Sequence, residues 1–289
     1  MTTFHRWILV VTLVIAETGN AWGARPKAEL PTGFVPEAQD AQTPVVGLLQ
    51  IIQQDPVLTP DPLSNLANGS GLVGMALFGT AQGKKKEADR RMQPLLGTGL
   101  GEQMNKLIVS SFTQAIADSS WMKTLRVDIA NENRTVDTAN NSVVRMGISY
   151  DLTVNASSIC ITVGIGYFRQ GGKTAALARI WSYFSPRLSP APVDATIARW
   201  AADDALLYRT TMDEAVRGMT ALLREQFFRP PTSSATAGHL EKIEWWSPLS
   251  DNKVKWPVII LHEDADRMVF QAGWGSVYSV PKQDVKVMN

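Results

Sequence analysis

Between residues 100 and 116 the apolar positions Leu100, Met104, Leu107, Ile108, Phe112, Ala115 and Ile116 recur at steps of three and four. That rhythm predicts one amphipathic helix, ended by Ser119-Ser120. The period then changes to two. Leu125, Val127 and Ile129 alternate as a strand, and a polar loop spans 131–141. Val144, Met146, Ile148, Tyr150 and Leu152 form a second strand, and Ile159, Ile161, Val163, Ile165 and Tyr167 a third. Gly171-Gly172 turns the chain into a fourth, Thr174–Phe184, and Pro186, Pro190 and Pro192 stop the sheet. A long helix follows, with Asp194 placed to cap it and Ala201, Ala205, Tyr208, Met212, Ala215, Met219 and Leu222 on one stripe. Pro230-Pro231 ends it. Helix and sheet must cover each other's apolar faces, so Trp181 and Trp200 belong to the shared core.

These elements predict an α+β fold: a mostly antiparallel four-stranded sheet packed against two or more helices, over residues 99–229. A linker rich in Ser, Thr and Ala at 232–238 separates it from a small C-terminal β unit at 239–281. In that unit Leu240–Trp246, Val254–His262, Arg267–Gln271 and Val277–Val280 read as short strands.

Towards the N-terminus the periodic pattern gives way to punctuation. Residues 24–63 hold Pro26, Pro31, Pro36, Pro44, Pro56, Pro60 and Pro62, seven of the sixteen prolines, which predicts an extended tether. Within it Val45, Leu48, Leu49 and Ile52 share a helical face, so Val45–Gln53 is expected to be a short helix, docked on the domain's own core in preference to serving as a partner-binding motif. Residues 64–98 are apolar and glycine-rich, then basic. Gly69-Ser70-Gly71-Leu72-Val73-Gly74 matches the dinucleotide-binding fingerprint literally, but Pro60, Pro62 and Asn68 replace the strand that must precede it. Ser70, Gly74, Gly79 and Gly83 instead suit a helix that approaches another backbone closely. Its basic end, Lys84, Lys85, Lys86, Arg90 and Arg91, is a candidate contact with an anionic membrane surface or a solvated helix end.

The first 23 residues read as a secretory leader. Arg6 provides the positive start, Trp7 to Ala16 is an apolar run too short for a stable membrane anchor, and Ala21-Trp22-Gly23 places small residues before a cut at Ala24. A lipoprotein needs a cysteine at the cut, and Cys160 is the only one. The expected address is the periplasm, as a product without a lipid anchor. Flanked by Ser157-Ser158-Ile159 and Ile161-Thr162-Val163, Cys160 reads as a small core residue of a strand.

Composition narrows the functional classes. A net charge of +1 argues against a dedicated nucleic-acid binder. His5 leaves with the leader, His239 lies in the linker, and His262 stands in His262-Glu263-Asp264-Ala265-Asp266. That run lacks the zincin spacing and the calcium-loop glycine, and it reads as a charged turn. No catalytic residue, metal ligand or cofactor motif emerges. Trp245, Trp246, Trp256 and Trp274 crowd the C-terminal unit, either as a binding face or as the bulk that a small β module needs for a core. On the third strand Gly164 and Gly166 share a face with Cys160, which leaves room for a helix or a ligand.

Gly71-Leu72-Val73-Gly74 with its charged helix and Pro94-Leu95-Leu96, then Ser119-Ser120-Trp121 and Ser149-Tyr150-Asp151-Leu152, give about half the chain a likeness. Over that half it resembles a family of uncharacterised exported bacterial proteins. The order helix–strand–strand–strand–helix is similar to α+β domains of envelope assembly factors such as the TolB amino-terminal domain. That family carries no assigned activity, and the expectation for this chain is an exported, non-enzymatic binding or assembly module with an envelope protein partner. Peripheral membrane attachment is the first alternative, and a hydrolase or metal enzyme using His262 the second.

Overall fold

The computed structural model describes residues 43–51, 57–58, 87–96, 99–130, 135–173, 175, 177–228, 240–247, 252–273 and 275–288. Its strands are β1 (Thr43–Ile51), β2 (Val57–Leu58), β3 (Met122–Ala130), β4 (Ser142–Leu152), β5 (Ile159–Phe168) and β6 (Leu177–Phe184). Beyond them lie β7 (Leu240–Ser247), β8 (Asn252–Glu263), β9 (Arg267–Ala272), β10 (Val277–Pro281) and β11 (Val285–Met288). The long helices are α1 (Leu100–Ala117) and α2 (Val193–Leu223). All eleven strands join one mixed sheet ordered β11-β7-β8-β9-β10-β6-β5-β4-β1-β3, with β2 beside β4. The expected four-stranded, mostly antiparallel sheet is therefore too small. The described residues are more sheet than helix, and the C-terminal β unit continues the main sheet.

The residues expected to form a docking helix at Val45–Gln53 supply β1, which lies parallel to both β3 and β4. Val45 and Leu49 pack in the core beneath the helices, whereas Val46 and Leu48 are buried on the opposite face with Val143. A strand buried on both faces needs a continuous apolar run, and Val45-Val46-Gly47-Leu48-Leu49 provides one. The same residues also satisfy a helical face, so periodicity alone did not decide. Gly47 lies under α1: a Cβ there would stand 3.0 Å from Ile116 Cγ2 and 3.3 Å from Val127 Cγ2.

Both helices cover the same face of the sheet, and the predicted stripes are the buried ones. Met104, Ile108, Phe112, Ala115 and Ile116 of α1 meet Tyr208, Met212, Ala215, Met219 and Leu222 of α2 in one core with Trp181 and Trp200. A π-helical turn, Arg224–Phe228, extends α2. Its carbonyls hold the start of β3: Trp121 Nε1 donates to Phe227 O at 2.7 Å, and Ser120 Oγ to Phe228 O at 2.9 Å. Near its middle α2 breaks. Asp203, Asp204 and Ala205 take the left-handed conformation, with φ of 52°, 56° and 57°. Arg199, Ala202, Asp203, Leu206, Leu207 and Thr210 line an open depression of about 450 Å³ there.

The C-terminal strands attach by one parallel seam, β10 on β6, where Val277 faces Trp181 and Ser279 faces Tyr183. From that seam the sheet curls. Phe184 of β6 and Trp245 of β7 lie four strand-steps apart, about 19 Å in a flat sheet at the usual spacing. Their ring centroids are nevertheless 6.0 Å apart. The curl encloses a second core on the helix-free side, made by Cys160, Phe184, Ile243, Trp245, Val258, Met268, Phe270, Tyr278 and Val280. On the helix side Arg267 fastens the seam. Its guanidinium lies 3.8 Å over the Tyr183 ring and donates to Phe184 O and Ser279 O, each at 2.8 Å.

Candidate ligand-binding trough

The helix-free face of β4, β5 and β6 carries the chemistry that α1 and α2 leave uncovered. Strand alternation sends Ile148, Tyr150, Ile161, Val163 and Trp181 into the helical core and their neighbours to the other side. The register then arranges those neighbours in rows across the strands. Gly147 of β4 faces Gly164 of β5, beside Ile180 of β6. In the next row Ser149, Thr162 and Ser182 stand side by side, and beyond them Asp151, Cys160 and Phe184. Before the glycines, Arg145 faces Gly166.

The two glycines put no side chain on this stretch of the face. A Cβ built on Gly164 would meet nothing within 4 Å. Gly147, Ser149, Thr162, Gly164 and Gly166 all keep partial solvent exposure. Thr162 links two of its neighbours, with its Oγ1 at 3.4 Å from Ser182 Oγ and 3.6 Å from Cys160 Sγ. At one end Arg145 donates from Nε and Nη2 to Gln50 Oε1, at 3.1 and 2.5 Å. Burial lowers the pKa of this guanidinium.

At the other end burial pushes the Asp151 carboxyl up to about 7. The Cys160 thiol rises to about 12, chiefly through burial and secondarily through the Asp151 charge. A thiol held there stays protonated at neutral pH and is a poor nucleophile. Hydroxyls that donate and accept, a carboxyl able to do either near neutrality, and open space above the Gly164 peptide suit recognition of a polar ligand.

The tryptophans singled out in the sequence do not share one surface. Trp245 is fully buried in the second core, between Phe184, Phe270 and Tyr278. Trp256, half-buried, lies on the same face with its ring centroid 5.2 Å from that of Trp245. Trp246 points to the other side, where the Arg187 guanidinium sits 4.6 Å over its ring. Trp274 lies outside the described residues, as do Lys84, Lys85 and Lys86.

Arg90 and Arg91 belong to a helical turn at 87–92 and both bond to Glu87, at 2.7 and 2.9 Å. Those two partners, Arg90 first, bring the Glu87 carboxyl down to about 2. Arg91 also reaches Asp194 at 3.5 Å. His262 lies exposed near the end of β8, 3.6 Å from Asp264 of the following turn, whose Oδ1 accepts from the backbone N–H groups of Asp266 and Arg267. Among the described residues no group of His, Cys, Asp and Glu is placed to hold a metal ion. No helix among them is long and apolar enough to cross a membrane.

The sequence pointed to the face of Cys160, Gly164 and Gly166 but not to Ser149, Thr162 or Ser182. These are ordinary polar positions of alternating strands, and only the cross-strand register joins them. No family model matches the chain, and no curated protein matches it either.

Proposed function

We propose that the chain is a non-catalytic binding or assembly module of the bacterial cell envelope, exported by residues 1–23, and that the Gly147–Gly164 trough receives its ligand. The row Ser149–Thr162–Ser182 beside two facing glycines carries this reading. Side-chain hydroxyls offer uncharged donors and acceptors at the roughly 4.8 Å spacing of strands, and the glycines admit a flat group to the peptide plane. An uncharged, hydroxyl-bearing ligand such as a cell-wall glycan fits that chemistry.

Titration of the isotopically labelled protein with a panel of muropeptides and glycan fragments tests the site. Amide shifts should cluster on β4–β6, and Gly164→Leu should abolish them while leaving the rest of the spectrum in place. Shifts elsewhere, or shifts undiminished by Gly164→Leu, would refute the trough. Export has its own test: the N-terminal sequence of the product in a periplasmic fraction should begin at Ala24, and retention in the cytoplasm would overturn the address. The alternative of peripheral membrane attachment depends on Lys84, Lys85 and Lys86, and flotation with anionic vesicles at low salt decides it.

A further inference from the structure

The two ends of the sheet differ. Among the described residues β11, four residues long, ends it on one side and β3, nine residues long, on the other. A long edge strand offers a row of backbone donors and acceptors to any strand that can align with it. On β3 two large apolar side chains, Leu125 and Ile129, are each 51% exposed. Between them Arg126 and Asp128 point to the helix-free side, with Arg126 Nε 3.3 Å from Asp128 Oδ1.

We propose that two copies of this chain associate through β3, antiparallel, about a twofold axis at Val127. In that register Leu125 lies opposite the partner's Ile129, and Arg126 opposite the partner's Asp128. Symmetry repeats both pairs. The charge pattern singles this register out. Moving the axis one residue back sets Arg126 against its own copy, and one residue forward sets Asp128 against its own copy. Like charges directly opposite each other destabilise a strand pair, whereas opposite charges and apolar pairs support it. A self-complementary patch is also what a closed dimer requires.

The contact is short. A register shift in the β1–β3 pairing, between Val45 and Val46, leaves Leu125 as an extra residue on β3 and twists the strand there. Regular pairing therefore centres on residues 126–128, with the Leu125–Ile129 contacts at its two margins, which makes the dimer weak and concentration-dependent.

Sedimentation velocity of the secreted chain over a wide concentration range reads the association. The wild type should move from monomer to dimer. Arg126→Asp and Asp128→Arg should each raise the midpoint by about ten- to a hundredfold, because two attractive pairs become repulsive in each. An equimolar mixture of the two variants should dimerise again. Within either variant the Arg126–Asp128 pair is lost, so only pairing between chains accounts for recovery on mixing. Circular dichroism identifies variants that fail to fold, and Ile129→Lys, on the exposed edge, then provides the loss-of-dimer arm. A wild type that stays monomeric throughout, variants that dimerise as well as the wild type, or a mixture as monomeric as its components would each overturn the proposal.

Discussion

Residues 202–205 interrupt α2 without a glycine or a proline. Ala202 is extended at ψ 151°, and Asp203, Asp204 and Ala205 then form a left-handed turn. Each L-residue in that conformation costs roughly 1–2 kcal/mol, with Asp at the lower end, whereas glycine adopts it freely. Asp203 is exposed, so Asp203→Gly removes little besides that strain. The substitution also adds unfolded-chain freedom, which costs about 0.4–1 kcal/mol. The net effect should lie between neutral and about 1 kcal/mol stabilising.

Glu214→Gly supplies the reference, since Glu214 is equally exposed but lies in the regular part of α2. There glycine costs about 1 kcal/mol. The flexibility penalty is common to both sites, so the difference of about 1–2 kcal/mol isolates the sign of φ. Urea unfolding measures it as a shift of midpoint at constant slope. If Asp203→Gly destabilises as much as Glu214→Gly, the helix runs straight through 202–205 and the reasoning fails.

Trp245→Ala should cost about 3–5 kcal/mol by emptying the second core, and Trp246→Ala about 1 kcal/mol for a half-buried ring beneath Arg187; equal losses in urea would show that the face assignment of β7 is wrong. Cys160 should resist iodoacetamide at pH 8 in the native protein and react fully in denaturant, and native labelling at the denatured rate would contradict its buried, protonated state. Asp151, raised to about 7 in the fold from an unfolded value near ~4, binds more protons folded than unfolded between those limits. Its contribution to stability is therefore lost as pH rises from about 4 to about 7 and is level above. Asp151→Asn should flatten that stretch of the pH–stability curve, and an unchanged slope would show that another group controls it.

The local elements were legible because their periods are local. The stripes of α1 and α2 and the alternation of β4 and β5 lie where the residues predicted. What escaped was pairing between distant segments. Val45–Ile51 carries an apolar run that either a helix or a strand satisfies, and only the presence of β3 and β4 on its two flanks selects the strand. Nothing near Val277–Ser279 announces a parallel seam with Trp181–Tyr183, so the C-terminal strands read as a separate unit. The break in α2 was invisible because Asp and Ala there carry no helix-ending signal. The trough was half legible: Gly164 marked the face, while its hydroxyl row depends on three strands lying in one register.

β3 and β4 are consecutive in the chain, yet β1 lies between them and pairs in parallel with both. The protein thus contains a strand-wide slot that it fills with residues from far upstream. Closing it requires an end-to-end search across α1, so that step should lag behind the local contacts that form α1 and the β4–β5 hairpin. Until it closes, both lips of the slot present unpaired peptide groups to any extended chain nearby. A nascent copy would then be open to strand exchange, with residues 43–51 of one molecule completing the sheet of another. β1 should then be the last stave of its own sheet to be set in place.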